Sequence, residues 1–419
     1  MKILYVSQYF PPEMGAPAAR ASELARHWAQ AGHKVSVLTG FPNHPTGVVP
    51  AEWRARLRRL TFRESSSGVD VFRTWLWPLP NRKAHERMRN YASFCISAGL
   101  RGMVLPRPDV VIASSPQLLV GLSGWWIAHC RQIPFVFEVR DLWPESLAAV
   151  GVGDENSLLH RALAAVAKFL YLRSDLIVVV TPAFKEYLVQ HRRIPAEKIA
   201  VIQNGVETSL FTSAPHDSNQ ALRQDFAVKD KFLLCYIGTM GMAHGLETLL
   251  DAAAELQRQN SNAHFLLVGE GAEKARIKNL ALSRGLANVT FLDQQPREKI
   301  PAFISASDAC LVLLKKTEIF KTVIPTKMLE FMSCARPVIL GVEGQARQII
   351  EDADAGIVIE PENVDALVAA VHRLSGNREL GLALGQKGRE YILQNFARAT
   401  TAKKYIEVLR GLLPTPQSG

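Results

Sequence analysis

Short runs of Val, Ile and Leu alternate with stretches of helical spacing along most of the chain. Runs at 2–7, 34–38, 69–73, 110–113, 135–139, 176–180 and 199–202 predict strands, and spacing predicts a helix from about Ala18 to Gly32. After about residue 215 the alternation restarts. Strands are expected at 232–237, 263–268, 289–292, 309–313, 337–340 and 356–359, with helices at 246–259, 272–284, 300–306, 326–334 and 346–351. Two long helical stretches, 364–375 and 379–411, close the chain. Near-continuous apolar strands separated by helices indicate parallel sheets covered on both faces. The expected fold class is α/β, with two doubly wound, Rossmann-like domains facing across a cleft. Asn204-Gly205-Val206 and the polar stretch 212–219 mark the linker. The domains are then 1–205 and 206–392, with a C-terminal helix in 393–419 crossing back to the first. Ligands of such sheets bind beyond the carboxyl ends of the strands, which places the site in the cleft.

The 419 residues are 48% hydrophobic and 21% charged, an ordinary globular composition. The formal charge of +10 points to an anionic partner: nucleic acid, lipid headgroup or phosphorylated substrate. That charge is local. Residues 1–205 hold 25 Lys and Arg against 15 Asp and Glu, and the rest hold 24 of each. Within the first half, 54–107 holds 12 basic and 3 acidic residues. Cys95, Cys130, Cys235, Cys310 and Cys334 stand alone in mostly apolar surroundings, which reads as reduced core thiols. The start, MKILYVSQYF, is too short in apolar residues for a signal peptide. The charge-free stretch 110–130 has the length of a membrane span, but Ser114, Ser115, Pro116, Gln117, Ser123 and His129 break it. It parses better as a buried strand followed by a buried helix.

Several loops at strand ends carry candidate chemistry. PPEMGAP (11–17) joins the first strand to the first helix and presents backbone N–H groups to an anion, or is a plain turn. It lacks both GxGxxG and GxxxxGK[ST], which disfavours a dinucleotide or P-loop site. Gly238-Thr239-Met240-Gly241 to His244-Gly245, and Val268-Gly269-Glu270-Gly271, each follow a strand and open a helix. Two such loops in one domain suggest a nucleotide diphosphate site; tight-turn glycines are the alternative for each. FEVRDLWPES (137–146) crowds charge, a Trp and a Pro onto the end of a core strand. In IPTKMLE (324–330), the Thr326 hydroxyl, the Lys327 ammonium and a helix N-terminus favour phosphate, and Glu330 favours ribose hydroxyls. A surface Lys327–Glu330 ion pair is the other reading. FPNHPTG (41–47) is a substrate loop or an ordinary turn. Asp352-Ala353-Asp354 matches DxD but lacks further ligands nearby and reads as a turn, so no metal is expected.

With these motifs in order over both halves, the whole chain resembles the family 4 glycosyltransferases, which have the GT-B fold. The likeness is to the bacterial branch of N-acetyl-L-fucosamine transferase-like enzymes of O-antigen and capsule synthesis. It is carried by PPEMGAP, FPNHPTG, EVRDLWPES, QNGVE, YIGTMGMAHGLETLL, LLVGEGAEK and TVIPTKMLEFMSCARPVI. The resemblance implies a hexosyltransferase acting with retention on a nucleoside diphosphate sugar, UDP favoured, without cofactor or required metal. It implies an N-terminal acceptor domain and a C-terminal donor domain. Glu330 matches the second Glu of the family's E-x7-E motif, while the first falls on Thr322 and is missing. The Arg and Lys that usually clamp the diphosphate correspond to Thr239 and His244, so Lys327 with Thr326 is the replacement expected here. Gly15 and Ala16 match the loop position that meets the donor phosphate. Gly238, Gly269 and Glu270 complete the expected donor set.

Where the family often has a His at the end of the N-domain strand, this chain has Arg140-Asp141. Asp141 is the expected carboxylate beside the reacting sugar or acceptor hydroxyl, with Arg140 stabilising the leaving phosphate or orienting Asp141. The leaving phosphate itself would deprotonate the acceptor. Asn43, His44, Trp143 and Glu145 are the candidate acceptor contacts. Two other classes compete: a sugar-nucleotide 2-epimerase on the same fold, and a basic nucleic-acid-binding protein, for which no motif is present. Residues 53–60 and 82–105 mix Trp, Leu, Ile and Val with Arg and Lys, the composition of a membrane-resting patch or of a solvated basic face. The first reading places the protein in the cytoplasm, peripheral on an anionic inner leaflet through residues 53–105, beside a polyprenyl-diphosphate-linked saccharide.

Overall fold

The computed structural model describes residues 1–44, 47–79, 84–145, 157–213, 220–226 and 228–413. Pro45, Thr46, Arg82, Lys83, Ser146 and most of the expected linker lie outside these. The chain forms two units, Met1–Asn204 with Arg398–Gly419, and Gly205–Ala397.

Unit 1 is built on an eight-stranded sheet ordered β3-β4-β2-β1-β5-β6-β7-β8. Its strands are β1 (Lys2–Val6), β2 (Lys34–Gly40), β3 (Thr61–Ser66), β4 (Val69–Thr74), β5 (Val110–Ser114), β6 (Phe135–Val139), β7 (Leu176–Val179) and β8 (Ile199–Val201). All neighbours run parallel except β3 and β4, so the expected all-parallel sheet is mixed at one edge. Ser67 and Gly68 join that hairpin with φ of 53° and 80°, the left-handed pair that a two-residue hairpin turn requires. The helices that matter for the site are α1 (Ala16–Gln30), α2 (Ala51–Leu57), α3 (Ala84–Val104) and α4 (Val120–Arg131).

The charge-free stretch 110–130 resolves into β5, buried along its whole length, and most of α4. Gly124 of α4 has no room for a side chain: a Cβ there would stand 2.5 Å from Ala113 Cβ. Small residues let the helix lie flat on the strands, so its apolar character serves the core. No helix among the described residues is long and apolar enough to cross a membrane.

Unit 2 has a six-stranded, fully parallel sheet ordered β11-β10-β9-β12-β13-β14. The strands are β9 (Phe232–Ile237), β10 (Ala263–Val268), β11 (Val289–Leu292), β12 (Ala309–Leu313), β13 (Val338–Gly341) and β14 (Gly356–Val358). Apolar clusters fill both faces, one around Met328, Leu329 and Phe331, the other around Leu249, Leu250 and Val371. The expected boundary after residue 392 falls inside the helix Arg378–Asn395, and the chain leaves unit 2 at Ala397 instead. The stretch 379–411 is two helices, because Phe396 leaves the helical path and its carbonyl accepts from Val206 N at 2.8 Å.

The last helix, Arg398–Arg410, packs on α1 within unit 1. Trp28 Nε1 donates to Ala402 O at 3.1 Å, its ring lies 5.2 Å from Tyr405, and Arg398 Nε pairs with Glu23 at 2.8 Å. Three residues earlier on α1, Arg20 holds the other end of the unit by donating to Ile202 O, Gln203 O and Asn204 Oδ1 at 3.1–3.2 Å. Both chain crossings of unit 1 are therefore fastened to a single helix.

Candidate active site

In unit 1 the candidate residues gather at the carboxyl ends of β1, β2, β5 and β6. Gly15 opens α1 with φ 126°, a conformation open to glycine, and no side chain caps the helix end. Gly15 and Ala16 are exposed, so their backbone faces solvent at an uncapped helix N-terminus.

Beneath them lies a buried charged knot. Glu138, at the end of β6, accepts from Arg20 Nε at 3.1 Å, Arg20 Nη2 at 2.7 Å and Tyr5 Oη at 2.7 Å, and also from Ser114 Oγ. Burial alone would raise this carboxyl, but Arg20, Arg140 and the hydrogen bonds pull it down to about 2. Arg140 and Asp141 follow directly, with Arg140 N donating to Ser115 Oγ at 2.8 Å. Arg140 Nε is sealed from solvent and makes no hydrogen bond among the described residues. Burial lifts the Asp141 carboxyl to about 6 while Arg140 pulls the other way. A carboxyl poised there changes charge close to neutral pH, as acid–base work requires.

The acceptor candidates divide. His44 is exposed, with its ring edge-on to Tyr9 at 5.0 Å between centroids. Trp143 stands edge-on to Tyr91 at 6.5 Å, and the Tyr91 hydroxyl lies 3.5 Å from that of Tyr9. His44, Tyr9, Tyr91 and Trp143 thus form one aromatic group near Asp141. Asn43 is buried and internally engaged: its Nδ2 donates to Phe41 O at 3.0 Å, and its Oδ1 accepts from Asn90 Nδ2 at 3.1 Å. Asn90 Oδ1 in turn accepts from Gln8, and Gln8 Oε1 from Gln117, at 2.6 and 2.7 Å. This chain of carboxamides runs under the aromatic group and links α3 to three strand ends. Glu145 points to the helix Pro182–Arg192, where it pairs with Arg192 and accepts from Tyr187 at 3.0 Å.

Glu13 was not foreseen as a site residue. It is buried, and its Oε1 accepts from Asn43 N and His44 N, both at 2.9 Å. Burial lifts its carboxyl to about 7, against the pull of those bonds and of Arg73. The PPEMGAP loop thereby holds the FPNHPTG loop. The signal was in the sequence, a Glu between two prolines and a glycine turn, but nothing there names its partner.

In unit 2 the two glycine loops pack on each other at the carboxyl ends of β9 and β10. A Cβ on Gly269 would fall 2.0 Å from Gly238 O, and one on Gly271 2.3 Å from Met240 O. Close backbone approach thus requires these glycines. Lys327, in the first turn of the helix Thr326–Ser333, lies across Gly238, whose Cβ would stand 3.6 Å from Lys327 Nζ. Its Nζ is sealed from solvent, 3.8 Å from the centroid of the Tyr236 ring, and makes no hydrogen bond among the described residues. Burial lowers its pKa to about 7. His244 Nδ1 is likewise buried without a hydrogen bond among the described residues, and its ring stands 6.1 Å from that of Tyr236. Burial, then Lys327, holds the His244 imidazole neutral.

Glu330, one turn beyond Lys327, is buried and accepts from Arg297 Nη1 at 2.9 Å; the guanidinium of Arg297 lies 4.9 Å over Phe211. Arg297 was not foreseen. Glu270 pairs with Lys274, and Thr239 O accepts from Tyr236 Oη at 2.6 Å. Thr326 begins the helix, half-buried. Thr322 Oγ1 donates to Ile319 O at 2.7 Å, so the position of the missing Glu is occupied by a local turn bond. Asp352 and Asp354 sit at the end of the helix Gln345–Ala353, held by Gln348 and Lys387.

Two α/β units with these loops at the strand ends define a glycosyltransferase architecture, and comparison agrees. The profile for group 1 glycosyl transferases matches residues 218–391, and that for a glycosyl transferase 4-like domain matches 15–205. The chain belongs to family 4 of the glycosyltransferases and is an enzyme of the hexosyltransferase type. It is 24% identical to the putative colanic acid biosynthesis glycosyl transferase WcaI of Escherichia coli K12, over 98% of this chain and all of that one. The sucrose-phosphate synthase of Thermosynechococcus elongatus superposes with a TM-score of 0.76 at 20% identity, over 98% of both chains. Anabaena HepE, solved with UDP-glucose, superposes with a TM-score of 0.70 at 20% identity, over 98% of this chain and 100% of that one. These likenesses establish the GT-B fold.

Proposed function

We infer that this enzyme moves a sugar, with retention, from a UDP-sugar to a polyprenyl-diphosphate-linked saccharide in bacterial surface polysaccharide synthesis. The observation that carries the donor half is Lys327, an amine buried at a pair of glycine turns with no partner for its Nζ among the described residues. A buried Lys beside Gly238 and His244 whose Nζ meets no acceptor among the described residues suits an anionic ligand. Lys327, Thr326 and His244 take the diphosphate in place of the usual Arg and Lys, and Glu330 takes the ribose. HepE, of the same fold, is known with UDP-glucose, which favours UDP. WcaI, matched end to end, is named for colanic acid synthesis, which favours a surface polysaccharide.

In unit 1, Asp141 serves the reacting centre and Arg140 the leaving phosphate. His44, Tyr9, Tyr91 and Trp143 offer ring faces and edges to an acceptor sugar. No metal or other cofactor takes part in this reading. The enzyme works at an anionic cytoplasmic leaflet. Support comes from α3, where Ile96, Leu100 and Val104 are 65–71% exposed at successive turns, with Trp126 of α4 beside them at 47%. Arg54, Arg58, Arg59 and Arg89 supply exposed charge in the same segment of chain. Trp53 is instead buried under Arg56 and Arg73, so it belongs to the fold rather than to the lipid face.

Incubation with UDP-, GDP- and dTDP-sugars and a polyprenyl-diphosphate-linked sugar, read by mass spectrometry, tests the reading. Transfer from a UDP-sugar with retained anomeric configuration is expected. Donor epimerisation without transfer would overturn it.

A further inference from the structure

We propose that above neutral pH the nucleoside diphosphate enters unit 2 together with one proton from solvent, taken up by Lys327 Nζ, so that an amine neutral in the free enzyme becomes an ammonium when the phosphates arrive. This rests on unit 2 being the donor unit.

The argument begins from geometry. Lys327 Nζ is enclosed by the Tyr236 ring on one side and the Gly238 turn on the other. The groups that act on it are Cys235 and Tyr236 from β9, His244 from the turn after it, and Glu330 from its own helix. Burial raises both Cys235 and Tyr236, so each is neutral at physiological pH. His244 is neutral too. Glu330 is a carboxylate whose Oε1 accepts from Arg297 rather than from Lys327. The surrounding residues thus offer the lysine aromatic and thiol surface but no hydrogen-bonding anion among the described residues.

Burying an unpaired ammonium costs several kcal/mol, whereas a neutral amine in the same place costs far less. Accordingly the free enzyme holds the amine near its midpoint at neutral pH, with its pKa at about 7. A diphosphate beside it reverses the balance, because a charged acceptor favours the charged donor. The bound lysine is then an ammonium, and the amine has gained its third N–H bond from a solvent proton. His244, its Nδ1 also buried without a hydrogen bond among the described residues, lies in the same turn region.

The coupling has a functional meaning. A lysine that gains charge on binding can lose it again as the nucleotide leaves, so the site need not strand an ammonium when empty.

The test is calorimetric titration of the full chain with UDP, and separately GDP, at pH 8 in buffers of different ionisation enthalpy. The dependence of observed heat on buffer enthalpy gives protons taken up per nucleotide. About one proton is expected, with Kd weakening about tenfold per pH unit between 7.5 and 9. Lys327→Met, checked for folding by its melting curve, should bind more weakly with no uptake. Lys327→Arg should bind with no uptake, and His244→Gln should bind more weakly with uptake preserved. Failure of both nucleotides to bind would remove the donor reading itself. Tight binding by the wild-type protein with no proton uptake would overturn the proposal and leave that reading intact.

Discussion

Arg20 and Glu138 form a buried pair, the guanidinium reaching the carboxylate through both Nε and Nη2, with side chains 1% and 0% exposed. Removing one partner of such a pair strands the other charge and typically costs about 3–5 kcal/mol. Glu138→Gln should lower the urea midpoint accordingly. The folded carboxyl sits at about 2, below its ordinary 4.5. Its contribution is therefore present above pH 4.5 and lost as pH falls toward 2. The gap between wild type and variant should close across that window, and a gap constant in pH would contradict the ion-pair account.

Glu13 has the opposite sign. Its folded carboxyl is raised from 4.5 to about 7, so its ionisation costs stability progressively as pH rises through that interval. Glu13→Gln keeps an oxygen for Asn43 N and His44 N without the charge. It should match wild type at pH 4 and exceed it at pH 8. Glu13→Ala leaves two N–H groups unmet, about 1–3 kcal/mol each, and frees the loop bearing His44. Its acceptor KM should rise while its Kd for UDP stays unchanged.

Asp141 and Glu330 should separate chemistry from binding. Asp141→Ala is expected to spare donor binding and cut kcat by about 100-fold or more. Wild-type kcat should fall below about pH 6, where the raised Asp141 carboxyl becomes protonated. Glu330→Ala should weaken UDP binding by about tenfold or more. Equal losses of binding in both variants would refute the division of roles.

The exposed turns of α3 make a quantitative claim about lipid. Replacing Ile96, Leu100 and Val104 together by Ser removes three apolar side chains from the surface and should leave the melting temperature unchanged. Full burial of such a side chain is worth about 1.5–3 kcal/mol, so vesicle affinity should drop by about 100-fold or more. Flotation on vesicles with and without anionic lipid measures this. Binding by wild type that is indifferent to lipid charge would contradict the electrostatic half of the reading.

The strands of both sheets were legible because parallel strands buried on both faces are written as unbroken apolar runs. β6 and β9 fall at the residues their sequence predicts. β3 was not, because an edge strand such as Thr61–Ser66 is half in water and carries Arg, Glu and Ser instead. The glycine loops of unit 2 were legible from Gly238, Gly269 and Gly271 at strand ends. Arg20, Glu13 and Arg297 were not, since a charged side chain in sequence gives no sign of whether it will be buried or what will meet it. Trp53 shows the same gap from the other side: among arginines it reads as a lipid anchor, yet Arg56 and Arg73 stack on it within the fold.

The return of the chain at Arg398 sets an order of events during synthesis. Unit 2 is one uninterrupted stretch, whereas unit 1 lacks its closing helix until Arg398–Arg410 have been made. On the ribosome, Trp28 must wait for Ala402, 374 residues further on, and Glu23 for Arg398, 375 further on, while all of unit 2 emerges between them. The second half of the gene product is thus the first able to finish folding. A chain cut after Ala397 would hold a complete unit 2 and an unfinished unit 1, with the apolar face of α1 around Trp28 uncovered for proteases and chaperones.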